Sequence, residues 1–230
     1  MSPHPLESLR YVARSWEIGD EPPVQEMAAI LAELAEESPS TLLQACRRLI
    51  EYFPASGPVW WLSARALSAP DPVEEIWEAA DELAQDPTPR RLAEALPAGA
   101  LVAVPRPAGA LAAALRRRPE VVIVGKPARA GIVVMRALAA APGRLLVTSH
   151  LAALAAKPGA AEIWVVVERG VLLPEQLWAQ LLARTPASRA SALRAEDVAA
   201  CVTTEGKVAP AEALGQPTCP PVAELLGWKS

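Results

Sequence analysis

From Gly131 to Val167 the chain sets two short aliphatic runs, Ile132–Met135 and Ile163–Val167, on either side of a third, Leu145–Thr148, which leads into a helix-like stretch over 149–157. Runs of this length with little polar alternation read as strands buried on both faces, as in a parallel sheet covered by helices. Leu101–Val104, Val121–Val124 and Val198–Thr203 have the same character, and helix candidates at 108–117, 149–157 and 174–184 fall between them. The second part of the chain is therefore expected to be α/β, a mainly parallel sheet with flanking helices. One spacing resists this pattern. Val124 and Ile132 are too close for a crossover that carries its own helix, so either the two runs are not sheet neighbours or a βα unit has been trimmed out.

The first hundred residues follow a different period. Met27, Ile30, Leu31 and Leu34 recur at helical spacing, as do Leu42, Cys46, Leu49, Ile50 and Phe53 after the start signal Ser38-Pro39-Ser40-Thr41. Asp71-Pro72 with Glu74 places an N-cap, a proline at N1 and an acid at N3 ahead of Ile76, Trp77, Ala80 and Leu83. Thr88-Pro89 opens a shorter helix that Pro97 and Gly99 close. The expected division is a helical domain over 1–97 and an α/β domain over 98–230.

Charge and composition narrow the partners. Hydrophobic residues make up 52% of the 230 residues, yet no run reaches the roughly 18 apolar residues of a membrane span. The start, Met1 to Arg10, has neither a basic nor an apolar leader segment, so the expected address is cytoplasmic, without membrane attachment. A net charge of −4, with arginines and lysines spread along the chain, gives no positive field strong enough to hold a nucleic-acid backbone, which argues against nucleic acid as a partner. Cys46, Cys201 and Cys219 are odd in number and lack metal-type spacing, so they read as reduced structural thiols; no metal and no cofactor are expected.

Several residues have both a ligand reading and a plain one. Thr148, Ser149 and His150 stand where a strand gives way to a helix; they could hold a phosphate or carboxylate, or simply cap and begin the helix. Gly125-Lys126-Pro127 lacks the earlier glycine and the following Ser or Thr of a phosphate loop, which leaves Lys126 and Arg129 as weak anion ligands or loop cations. Arg116, Arg117 and Arg118 suit the end of a helix, where cations meet the dipole. Arg136 ends one strand run, and Glu168 with Arg169 follows another, the edge at which open α/β sheets take ligands; a loop ion pair is the plain alternative. Trp60-Trp61 is read as one indole inside and one near the surface. The apolar tail from Cys219 to Trp228 is read as docking on its own domain or on a second copy.

The segment Gly131 to Lys157, with the strand run Ile163–Val167 after it, resembles a passage of the family that contains translation initiation factor 2B regulatory subunits, methylthioribose-1-phosphate isomerase and ribose-1,5-bisphosphate isomerase. There a strand ends in Gly-Ala-Asp, and an Asn-Lys-x-Gly-Thr segment then opens a helix. Asp197 to Pro210 is similar to that family's closing strand and its Val-Thr-Glu-x-Gly-Val segment. The resemblance implies a Rossmann-like sheet behind an N-terminal helical domain. It also marks what is missing: Leu138 stands at the place of the isomerase aspartate, no Asn-Lys pair precedes Ser149, and the loop that would supply the isomerase cysteine reads Pro105 to Gly109 without one. An isomerase of this kind needs a proton donor and acceptor beside the sugar, so no catalytic residue is assigned.

Three functions remain. The favoured one is a non-catalytic initiation-factor-2B-like protein, a pseudoenzyme and homodimer that works through protein contacts or by sensing a phosphorylated small molecule. The second is an enzyme on a sugar phosphate or nucleotide with a rebuilt site, and the third an assembly protein whose pocket Met135 and Leu138 close.

Overall fold

The computed structural model describes residues 23–104, 109–124, 129–148 and 161–228. Among the described residues five helices come first: α1 (Val24–Glu37), α2 (Pro39–Tyr52), α3 (Gly57–Ser68), α4 (Pro72–Ala84) and α5 (Thr88–Ala95). Their starts are set by local chemistry. The Ser38 hydroxyl accepts from the Thr41 amide, and one Asp71 carboxylate oxygen accepts from the Val73 and Glu74 amides, so orphan donors of the first turn are satisfied. The α5 start is held from further upstream than Thr88: Asp86 Oδ1 accepts from the Thr88 amide at 2.8 Å and from its hydroxyl at 2.5 Å.

The α/β part contains β1 (Leu101–Ala103), α6 (Gly109–Arg116), β2 (Val122–Ile123), β3 (Ile132–Arg136), β4 (Ala139–Ala141), β5 (Arg144–Thr148), β6 (Glu162–Val166), α7 (Glu175–Arg184), β7 (Ala190–Arg194), β8 (Ala200–Thr203), β9 (Gly206–Val208) and α8 (Pro210–Ala213). Six strands form one sheet in the order β2-β1-β3-β6-β8-β9. All its pairings are parallel except the closing β8–β9 hairpin. The tight spacing between Val124 and Ile132 is resolved by this order, because β1 lies between β2 and β3 and the two runs are not neighbours.

One expected sheet member is placed elsewhere. Leu145–Thr148 does not join the parallel sheet; β5 is the centre of a second, antiparallel sheet, β4-β5-β7. The cause is the Pro142-Gly143 pair, with Gly143 at φ +73, which reverses the chain between Ala141 and Arg144 and makes a hairpin. Poor strand propensity hides β4, whose residues Ala139, Ala140 and Ala141 are wholly buried. Their small side chains let α3 approach closely: the Gly57 amide donates to the Leu138 carbonyl at 2.7 Å, and a Cβ at Gly57 would lie 2.9 Å from both that oxygen and the Val171 Cα.

The largest apolar cluster draws on α1, α2, α3, α4, β4, α7 and the tail, whereas two others fill the faces of the parallel sheet. Trp60 and Trp61 both belong to the first, at 0% and 1% exposure, which corrects the expectation that one indole stays near the surface. Each indole N–H has an internal acceptor, Pro54 O for Trp60 and Thr218 Oγ1 for Trp61, so both rings can be buried without an unpaired donor. Among the described residues the exposed tryptophan is Trp77. The tail docks on the chain itself. Cys219, Val222 and Leu225 enter the first cluster, Arg47 donates twice to the Glu224 carbonyl, and Trp228 packs 5.9 Å from Trp60 beneath the Arg184 guanidinium.

Candidate functional site

A parallel sheet gathers the ends of its strands along one edge, and the loops there are free to carry polar groups. In this chain β3 ends on Arg136, and Glu168 stands two residues past β6, its immediate sheet neighbour. The Arg136 guanidinium bonds the Glu168 carboxylate, with the two side chains 14% and 9% exposed. The pair opens on a cleft of about 690 Å³ between the strand ends, α6 and the helical layer. Its charged lining is Arg116, Arg136 and Arg169 against Glu26, Asp86 and Glu168. This volume lies within the range of small-molecule sites.

The turn after Glu168 is bound firmly to the helices. The Arg169 amide donates to Asp86 Oδ2 at 2.6 Å, and its guanidinium donates to Glu82 Oε2 at 2.9 Å. The other Glu82 oxygen accepts from Arg65 Nη1 at 2.7 Å, and Arg65 also bonds Glu75. Arg65 lies 4.6 Å over the Trp61 ring. Gly170, at φ +78, sits against Leu83 and Pro58, where a side chain would clash. Partial burial alone would raise the Glu82 pKa, but the hydrogen bonds from Arg65 and Arg169 outweigh it and hold the carboxyl below its ordinary value. For Arg65 burial works toward a lower value, and the bonds to Glu82 and Glu75 overcome it, so the guanidinium stays charged.

The sequence candidates separate into distinct places. Arg136, Glu168 and Arg169 come together in the cleft, and both Glu168 and Arg169 are ion-paired, to different partners. Arg129 is exposed and precedes β3, at the end of the sheet opposite Arg136. Thr148 ends β5 in the antiparallel sheet, buried, and does not line the cleft. Ser149, His150 and Lys126 lie outside the described residues. Met135 is part of the sheet core, and Leu138 packs in the largest apolar cluster while its amide donates to Leu146 O. Glu82, Asp86 and Arg65 were not singled out from sequence. The available signal was the acidic face of α4, where Glu75 and Glu82 stand seven residues apart and so on one side of the helix.

The three thiols stand apart from the cleft lining. Burial pushes Cys46, Cys201 and Cys219 each up to about 12, opposed at Cys46 by a Ser63 hydrogen bond and at Cys219 by the charge of Arg65. Thiols so protonated are poor nucleophiles and poor metal ligands. Among the described residues no group of three or more His, Cys, Asp or Glu is placed to hold a metal ion, and no helix is long and apolar enough to cross a membrane.

No family model and no curated protein matches the sequence. Solved structures do match the fold. The tetrameric eIF2B-beta2-delta2 complex from C. thermophilum superposes with a TM-score of 0.69 at 17% identity, over 91% of this chain and 93% of that one. The translation initiation factor eIF-2B of Pyrococcus horikoshii OT3 gives 0.70 at 13% identity, over 94% and 100%. The 5-methylthioribose 1-phosphate isomerase of the same organism gives 0.59 at 12% identity, over 91% and 86%. The chain therefore has the fold that these initiation-factor subunits and this isomerase share.

Proposed function

We propose that this chain is a non-catalytic protein on the initiation-factor-2B-like fold that senses a phosphorylated small molecule in the strand-end cleft and works as a cytoplasmic homodimer. The observation that carries the reading is a contrast at one edge of the sheet. Leu138, at the place of the isomerase aspartate in the resembling passage, is buried and its backbone is bonded to Gly57 and Leu146, whereas the strand-end cleft carries the guanidinium groups of Arg116, Arg136 and Arg169, the last two held by Glu168 and Glu82. Guanidinium forks suit phosphate oxygens. Proton transfer at a sugar carbon needs an acid and a base in reach, and a leucine supplies neither.

The assembly reading has one observation in its favour. Leu101, Val122 and Ile123 are large apolar side chains exposed together on the β1–β2 edge of the sheet.

The test is a thermal-shift panel of sugar phosphates and nucleotides on the purified protein, with product analysis of every stabilising compound. A sugar phosphate that raises Tm in the native protein but not in Arg136→Gln, and is recovered unchanged, is the expected outcome. Conversion of any of them to an isomer overturns the non-catalytic reading.

A further inference from the structure

We infer that Glu168 is a built-in plug: its carboxylate occupies on Arg136 the place that a phosphate-type anion would take, and such a ligand enters the cleft only by displacing it. The inference rests on the reading of the cleft as an anion site and adds how that site is held shut. Two observations carry it. Glu168 lies in a strand-end loop and its carboxylate bonds the Arg136 guanidinium, which is itself turned toward the cleft. A carboxylate and a phosphate present the same paired oxygens to a guanidinium fork, so the two compete for one partner.

Of the remaining charges of the lining, Asp86 and Arg169 are engaged with each other or with the helical layer, and Glu26 and Arg116 are exposed. Arg169 is committed to Glu82, and Asp86 accepts from the Thr88 amide and hydroxyl and from the Arg169 amide. Arg116, at the end of α6, is exposed and lines the same cleft. Neutralising Glu168 therefore changes the balance at Arg136 while the Arg169 clasp to the helical layer stays in place.

Inorganic phosphate is the probe, titrated calorimetrically at constant ionic strength into the native protein, Glu168→Gln and the double variant Glu168→Gln/Arg136→Gln, each checked for a cooperative melt. Glu168→Gln is expected to bind phosphate about tenfold or more tightly than the native protein, and the double variant to lose that gain. Equal affinity in native protein and Glu168→Gln overturns the inference, as does a gain that survives the loss of Arg136. Should Glu168→Gln fail to melt cooperatively, Glu168→Asp replaces it; that change draws the carboxylate back by one methylene and is expected to give a smaller gain, and no gain there overturns the plug. Isomerase turnover by the native protein would refute the non-catalytic reading without touching this outcome, which phosphate affinity alone decides.

Discussion

Glu82 serves two arginines from different elements, and each of its oxygens has its own donor. Its folded pKa lies below the ordinary value of 4.5, so the stability it contributes is fully present above that value and is lost as pH falls through the folded pKa. Glu82→Gln is expected to flatten the acid side of the Tm-against-pH curve below about 4.5 and to change little at neutral pH beyond the loss of the pairs. A variant whose Tm falls on acidification as steeply as the native protein's would show that the clasp does not act through this carboxylate. Pairings between single side chains are the least legible part of the fold in the sequence. Arg136 and Glu168 were each legible as strand-end residues, but their pairing joins positions 32 apart, and Glu82 reaches Arg169 across 87. Nothing local in either stretch encodes those partners.

At the scale of elements, the N-terminal helices follow from patterns that any isolated segment would show. Start signals at Ser38 and Asp71 and the 3.6-residue period fall where α2 and α4 form. The β4–β5 hairpin does not follow so simply, because three alanines carry no strand preference and become a strand only when β5 and α3 are packed against them. Gly57 is the contact on which that packing turns. Gly57→Ala places a methyl against backbone atoms of Leu138, Val171 and Ala139, which cannot swing aside as a side chain could, so the variant is expected to lose about 1–3 kcal/mol in urea unfolding. A neutral result would mean that α3 can withdraw from the hairpin without cost.

Across the fold as a unit, the tail closes onto α2, α3 and α7. Trp228 packs at a tilt against Trp60, with the guanidinium groups of Arg184 at 3.7 Å and Arg47 at 5.6 Å from its ring centre, and its carbonyl accepts from Arg184 at 2.6 Å. Trp228→Ala removes this ring from between α2, α3 and α7, and a loss of about 2 kcal/mol is expected, read as a lower urea midpoint with an unchanged m-value. An unaltered midpoint would show that the tail is a passive cover. Period, capping residues and aliphatic runs by themselves determined that the chain is helical first and a parallel α/β sheet afterwards, because such preferences act over a few neighbouring residues. That Leu145–Thr148 belongs to a separate antiparallel sheet, that both Trp60 and Trp61 are buried, and that Glu168 faces Arg136 emerges only on packing. Each of those depends on contacts between segments far apart in the chain, whose distances and desolvation exist only once the layers have packed.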